Sequence, residues 1–351
     1  MIDKEHIVQT SGFTSENDLE DVLTQPSADL ISASRQGSGD IAILGAGGKM
    51  GPTLAVLARR ALDMAGRSRD RVYAVSRFAD TTVSSRLRDA GVDVLPFDLM
   101  AEDDFAALPD ASQVIFMVGA KFGASQNASW AWAINAALPD RVARRYRTTP
   151  IVALSTGNVY PFVTAGSGGA REITPPDPIG EYAQSCLGRE RIFQFAANER
   201  GTPIAIIRLN YAVDLRYGVL ADLGRAVFDR EPVSVATGNV NVVWQGYAND
   251  VILRAAHLAS PDVFTLNLAG PETLGVEAVA RRFGELFDVD IEIVGEPEPT
   301  ALLSDSRKCM ALFGYPPVPA DTLISWQAEW IAAGLPLSGK PTKWAVRDGR
   351  F

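Results

Sequence analysis

DIAILGAGGKMGPTLAVLARRAL, residues 40–62, runs from a short apolar segment into a glycine-rich turn and out into a stretch whose apolar side chains recur at helical spacing. A strand, a glycine turn and a helix in that order are the context that makes a glycine motif informative. The spacing is Gly45-x-x-Gly48-x-x-Gly51, with Gly47 an additional small residue, and the tighter GxGxxG form fails because position 50 is Met50. Gly45 permits a sharp turn, Gly48 lets backbone amides approach a pyrophosphate, and Gly51 lets the helix pack against the strand. The helix start then offers unpaired N–H groups and partial positive charge, so Gly45, Gly48, Lys49, Met50 and Gly51 form the expected phosphate cradle. The alternative is a glycine turn without a ligand.

Outward from this turn, apolar runs of strand length alternate with amphipathic stretches. IAIL (41–44), VYAV (72–75), VDVLPF (92–97), QVIFMV (113–118), PIVALS (150–155) and PIAIIRL (203–209) are near-continuously apolar, as strands covered on both faces require. Helical patterns over 50–65, 82–90, 125–147 and 180–200 lie between them. This rhythm predicts an α/β fold with a doubly wound parallel sheet of the Rossmann type. After Arg208 it loosens into helices near 217–229, 249–259, 275–287 and 320–333 with short strands between, which reads as a smaller α+β lobe shaping a cleft. The expected division is an N-terminal extension over 1–38, a dinucleotide-binding domain over 39–210, and a substrate lobe over 211–351 with some segments returning to the sheet. The extension is expected to hold one short helix at Glu16–Leu23 and to end in a flexible run, SASRQGSGD (32–40).

The 351 residues are 47% hydrophobic and 21% charged, with a formal net charge of −9. Such a chain can bury a large core, and its acidic balance argues against a nucleic-acid partner, whose binding needs clustered cations. Two cysteines, Cys186 and Cys309, and two histidines, His6 and His257, give no disulfide framework and no metal site. The first residues carry acids where a signal peptide needs a basic end and an apolar run, and no later stretch reaches the roughly 18 apolar residues of a membrane span. A cytoplasmic protein with no membrane partner is expected. Only six of the 33 basic residues are lysines, and residues 122–307 contain none.

The end of the second strand, VYAVSRF (72–78), bears on which dinucleotide is bound. A carboxylate there accepts from the ribose hydroxyls of NAD, whereas a 2′-phosphate is repelled by it and drawn to an arginine. Ser76 and Arg77 occupy the position and no acid appears before Asp80. NADP is therefore favoured over NAD, with Lys49 as a second cation, against the alternative that Arg77 is a solvated surface residue. Asp98, with Leu99 beside it, follows the third strand and either accepts from the adenine amino group or is an ordinary turn aspartate. Gly119 and Ala120 follow the fourth strand on the expected cofactor side.

Three later segments, LSTGNVYP (154–161), EYAQSCLGRERIFQ (181–194) and IRLNYAV (207–213), complete a set that, together with the glycine loop, resembles the extended short-chain dehydrogenase/reductases, which include nucleotide-sugar epimerases and dehydratases. The resemblance extends over about residues 40–295, including WQGYANDVILRAAHLA and FTLNLAGPETLGVEAVARRF. It implies an NAD(P)-dependent oxidoreductase or epimerase acting on a hydroxyl or keto group of a small polar, sugar-like substrate. By resemblance, Tyr182 is the acid/base that exchanges a proton, and the Thr156 hydroxyl holds the substrate oxygen. Asn135 matches an asparagine of the long helix after the fourth strand, and Asn210 lies in the loop lining nicotinamide and substrate. Asn158, Asn210, Tyr211 and Arg216 are the expected substrate contacts; Asp214, Arg216 and Tyr217 in VDLRYGVL either contact a polar substrate or, equally, cap a helix. Gly157 and Asn158 stand where the dehydratase branch carries an Asp-Glu pair, which weakens a dehydratase reading. In this family two long helices pair across a two-fold axis, here 125–147 and 180–200, which implies a homodimer; Trp130 and Trp132 on the first divide between core and interface.

Cys186 stands where the family has a lysine that binds the nicotinamide ribose and lowers the tyrosine pKa. A neutral thiol does neither. Either another cation substitutes, Lys121 of MVGAKFG being the candidate catalytic residue, or the tyrosine only donates a hydrogen bond, or the chain binds a dinucleotide as a regulatory or scaffold protein. Cys186 is itself either a nucleophile helped by Arg189 or, as buried cysteines usually are, a small residue packed beneath the cofactor.

Overall fold

Runs of isoleucine, valine, leucine and alanine become the strands of one parallel sheet in the computed structural model, which describes residues 12–340 and 342–350. In chain order the first half contains α1 (Glu16–Leu23), α2 (Ala28–Gln36), β1 (Ile41–Leu44), α3 (Gly51–Met64), β2 (Val72–Val75), α4 (Thr81–Asp89), β3 (Asp93–Leu95), α5 (Glu102–Ala106), β4 (Gln113–Phe116), α6 (Ala128–Trp132), α7 (Leu138–Arg145), β5 (Ile151–Thr156), α8 (Gly180–Arg200) and β6 (Ile204–Leu209). The second half contains β7 (Ala212–Val213), α9 (Val219–Phe228), β8 (Val233–Ser234), β9 (Asn239–Val240), β10 (Val243–Trp244), α10 (Gln245–Arg254), β11 (Phe264–Leu268), β12 (Leu274–Gly275), α11 (Val276–Phe287), β13 (Ile293–Val294), α12 (Arg307–Phe313) and α13 (Ala320–Ala332).

Seven strands pair in the order β11-β6-β5-β4-β1-β2-β3, and every pairing in that sheet is parallel. This is the doubly wound Rossmann architecture that the alternating apolar runs predict. Side chains alternate between the two faces of a strand. On β1, Ile41 and Ile43 enter the core on one face, and Ala42 and Leu44 the core on the other. Strand order reverses between β1 and β4, so the carboxyl ends of these strands open a crevice where ligands of such sheets bind. The second half of the chain returns β11 to the sheet edge beside β6.

Two expectations are corrected. The first part of the run expected to be flexible, residues 32–36, is instead helical: α2 starts at the N-cap Ser27, whose side chain accepts from Leu30 N–H. Leu30 is buried, and Arg67 donates to the carbonyls of Ser34 (2.8 Å) and Gly39 (2.7 Å) at the other end. An apolar anchor just before the run and a distant arginine at its end hold its serines and glycines in place. Helix α1 matches its expected limits, carries a capping box from Ser15 and Asp18, and buries Leu19 and Leu23. His6 and Lys4 lie outside the described residues.

The helix expected over 125–147 begins at Ala128 and contains a π turn, Ala133–Ala137, between α6 and α7. Proline explains it: Pro139 has no N–H to give to the carbonyl four residues earlier, which is that of Asn135. Arg189 Nε donates to that carbonyl instead, at 3.3 Å. A π turn of this kind often marks a functional site.

Candidate active site

The crevice is floored by the turn after β1. Gly45 has φ +92°, and a Cβ there would lie 2.8 Å from Val118 N on the neighbouring strand end. A Cβ on Gly51 would lie 2.4 Å from the Ala46 carbonyl oxygen, so only glycine lets α3 sit this close to the turn. At Gly48 the nearest atom would be Gly45 O at 3.4 Å, so the turn is open on that side. Met50 caps α3 without a side-chain hydrogen bond. The N-terminus of this 14-residue helix therefore has no side-chain cap, as an anion cradle requires.

Lys49 does not reach toward Ser76 and Arg77. Its Nζ donates to the Ala212 carbonyl at 2.8 Å and lies 4.1 Å from the Tyr217 ring centroid. The expectation that it supplies a second cation to a 2′-phosphate is corrected, because it spans the crevice toward β7 instead. Ser76 lies against the turn, where a Cβ on Gly47 would come 2.6 Å from its hydroxyl, and Arg77 is exposed. Asp98 Oδ1 accepts from Met100 N–H at 2.9 Å, the turn role, and Leu99 is buried in the core behind it.

The loop after β4 is held from behind. Asn135 is fully buried; its Oδ1 accepts from Ala120 N–H (2.9 Å) and Arg189 Nη2 (2.8 Å), and its Nδ2 donates to Ala120 O (3.0 Å) and Ser185 Oγ (2.9 Å). With its amide committed to protein groups, Asn135 positions Gly119, Ala120 and Lys121 rather than lining the crevice. Gly119 is exposed, and a Cβ there would meet Arg189 Nη2 at 3.3 Å.

Thr156 ends β5, and its hydroxyl accepts from Asn158 N–H at 3.2 Å. Tyr182, one turn into α8, is half-buried and shares side-chain hydrogen bonds with Thr156 and Cys186. Lys121 Nζ lies 5.9 Å from its ring centroid. Burial raises the phenol above its usual range, and the Cys186 thiol adds to that while the Arg189 guanidinium opposes it. Burial lowers the Lys121 ammonium to about 8. Cys186 is 1% exposed and packs among Val159, Tyr160 and Ala170. Burial raises its thiol, with Arg189 again opposing, so it is neutral at physiological pH and suits a packing role better than a nucleophilic one.

On the opposite wall, Asn210 is buried and donates to Asn241 Oδ1 at 2.7 Å, while Tyr211 follows with φ +43°, a strained backbone for a non-glycine residue. Arg216, expected to contact substrate, is corrected: it pairs with Asp214 (3.1 Å), Glu20 (2.5 Å) and Glu16 (3.6 Å), which ties α1 to the loop before α9. Asp214 is consumed by that pair. Neither tryptophan of α6 is core, Trp130 being 43% and Trp132 39% exposed, with Trp132 Nε1 donating to Glu181 at 2.7 Å.

Two features escaped the sequence. Beneath the site, Glu190 and Arg208 form a buried pair at 2.7 Å, with Glu190 also accepting from Ser155 (2.6 Å) and Arg208 donating to Tyr160 (2.7 Å). Its signal was present, since Glu190 lies four residues after Cys186 and three before Phe193, on the buried stripe of α8. The other is the segment 342–349, which crosses the crevice mouth and left no readable motif. Among the described residues no helix is long and apolar enough to cross a membrane, and no cluster of metal-binding side chains occurs.

No protein-family profile matches this chain, and no curated protein does. Solved structures do. Pal from Bacillus thuringiensis superposes with a TM-score of 0.69 at 17% identity, covering 84% of this chain and 99% of that one. The UDP-glucuronic acid 4-epimerase of Bacillus cereus, solved with NAD, gives 0.69 at 16% identity over 84% and 98%. The UDP-glucose 4-epimerase of Thermotoga maritima, solved with UDP-glucose, gives 0.66 at 16% identity over 84% and 99%. At such identities the likeness defines architecture: this chain has the Rossmann-type fold on which those nucleotide-sugar epimerases are built.

Proposed function

We propose that this chain is an NAD(P)-dependent oxidoreductase or epimerase of the extended short-chain dehydrogenase/reductase type, acting on a hydroxyl or keto group of a small polar, sugar-like molecule. The observation that carries the proposal is the convergence of Tyr182, Thr156 and Lys121 at the carboxyl ends of β4 and β5, beside the turn after β1. Gly48, Lys49, Met50 and Gly51 would hold a pyrophosphate, and Ser76 and Arg77 the adenosine ribose, with Arg77 favouring NADP. A nicotinamide bound there supplies hydride exchange at its C4.

The chain's own residues manage the proton. Tyr182, kept protonated by burial, gives its proton to a substrate oxygen in the reducing direction. In the oxidising direction it must first be a phenolate that accepts the proton of the substrate hydroxyl, and the Lys121 ammonium stabilises that phenolate before the transfer. Thr156 orients the substrate oxygen, and Arg189 adds a fixed positive field from behind. A second reading, a dinucleotide-binding regulatory or scaffold protein, is favoured by one observation: both Cys186 and Tyr182 are held in their neutral forms. We further assign a homodimer to the face formed by α6 and α8, where Trp130 and Phe195 stand exposed.

Single-turnover mixing with NADP and a panel of sugar nucleotides separates the two readings. The oxidoreductase reading expects the reduced-nicotinamide absorbance band to appear in at least one mixture; dinucleotide binding with a silent band throughout would leave the regulatory reading standing.

A further inference from the structure

The segment 342–349 takes hydrogen bonds from two groups that face the substrate crevice. Lys121 Nζ donates to the Thr342 carbonyl at 3.2 Å, and the Tyr211 hydroxyl donates to the Trp344 carbonyl at 3.2 Å. The segment is pinned at both ends. Thr342 Oγ1 donates to Asp222 at 2.5 Å, and Arg347 donates to Thr300 O (2.7 Å) and Oγ1 (2.9 Å) while its guanidinium lies 4.2 Å from the Phe162 ring centroid. Gly349 meets the start of α8 backbone to backbone: a Cβ on it would lie 2.4 Å from the Ile179 carbonyl oxygen.

Beneath the segment, between it and Asn158, Tyr211 and Leu302, a cavity of about 30 Å³ remains. That is room for a water or two and not for a sugar ring. The segment has neither helix nor strand from 342 to 350, and Ala345, Asp348 and Arg350 are exposed. A stretch held by a few side-chain contacts, without a ladder of its own, belongs to the part of a protein that opens at low free energy. The strained backbone at Tyr211 lies on its binding wall.

We infer that residues 342–349 are an internal competitor for substrate: two peptide carbonyls occupy the donors Lys121 Nζ and Tyr211 Oη, and a ligand presenting two oxygen acceptors displaces them. This rests on the crevice being the substrate site proposed above. It makes Lys121 and Tyr211 a paired recognition element for carbonyl, carboxylate or phosphate oxygens, and it makes substrate affinity depend on the fraction of molecules with the segment released. Apparent affinity falls by that fraction, so abolishing closure recovers it.

The test compares the full chain, a chain ending at Lys340, and the full-length Arg347→Ala variant, which keeps the segment but removes one anchor. UDP-glucuronic acid is titrated calorimetrically into each with NADP present, and backbone hydrogen exchange of residues 342–350 is followed in the full chain. The inference expects binding roughly tenfold tighter in both variants, as for a closed state that dominates by about 90%, and faster exchange over 342–350 when the probe binds. Equal or weaker binding in a folded variant, or exchange that slows on binding, overturns it, because the segment would then be a permanent wall or a cover over the ligand. Failure of all three chains to bind the probe overturns it as well. The hydride reading is judged separately by the absorbance experiment above: variants that bind tighter but never reduce NADP would keep the competitor and discard the oxidoreductase.

Discussion

The two ends of the crevice are built from different materials. The cradle after β1 is backbone, shaped by where a Cβ is forbidden, whereas the corner at Tyr182 is made of side chains from the loop after β4, from β5 and from α8, spread over about sixty residues of sequence. Backbone function tolerates few substitutions and advertises itself by glycine spacing. Side-chain sites can be assembled in more than one way: beside Tyr182 this chain has the buried Cys186 thiol, the Lys121 ammonium 5.9 Å from the ring centroid, and the Arg189 guanidinium behind; under the proposed function these two cations take the place of the lysine expected at 186. One end is fixed by sterics, the other by electrostatics.

The side-chain corner is most vulnerable from beneath. Glu190→Ala would leave Arg208 buried without its carboxylate, and breaking such a pair costs about 3–5 kcal/mol. Urea denaturation is expected to report a loss of that size; a loss below about 1 kcal/mol would mean the pair does not hold β5, β6 and α8 together.

Tyr182→Phe comes next. Removal of a positioned proton-transfer group lowers rate roughly 10²–10⁴-fold, and single-turnover rates should fall by that factor while calorimetric NADP affinity stays unchanged. A rate within tenfold of the parent would place the proton elsewhere.

Lys121→Met sharpens the electrostatic half. The Lys121 ammonium is charged below pH 8 and neutral above it, since its pKa is lowered to about 8. Its help to a Tyr182 phenolate therefore fades as pH rises through that value. The oxidation rate of the parent chain is expected to lose this assistance above pH 8, while the variant is roughly tenfold slower below pH 8 and shows no such step. Matching pH profiles would remove Lys121 from the chemistry.

Arg77→Ala probes the backbone end at its one side-chain decision. An exposed ion pair contributes at most about 1 kcal/mol, so NADP affinity should fall up to roughly fivefold with NAD affinity unaltered. An equal loss for both dinucleotides would mean that Arg77 does not read a 2′-phosphate.

What could be read from the chain follows the same division. The sheet was legible because buried parallel strands need continuous apolar runs, and the cradle because Gly45 and Gly51 stand where any side chain would collide with backbone. Tyr182, Thr156 and Lys121 were legible as types at the ends of elements. Their partners were not. Arg216 looks like a substrate arginine until Glu16 and Glu20, nearly two hundred residues away, take it. Lys49 looks like a phosphate ligand for the second strand until β7 offers it the Ala212 carbonyl. Asn135 was found by resemblance, yet its task, bracing Ala120 and Arg189 behind the crevice, depends on the π turn that Pro139 imposes. Pairings across the chain carry no local period, and neither does the segment 342–349.

The central claim is spatial, that the Tyr182 phenol faces a nicotinamide whose pyrophosphate lies on the turn 45–51. A crystal structure of the chain with NADP tests it in one step. The account predicts the pyrophosphate against the first N–H groups of α3 and the Tyr182 hydroxyl, with Thr156, directed at the space beside the nicotinamide ring. A dinucleotide bound elsewhere, or a phenol turned away from that ring into the protein, would contradict it.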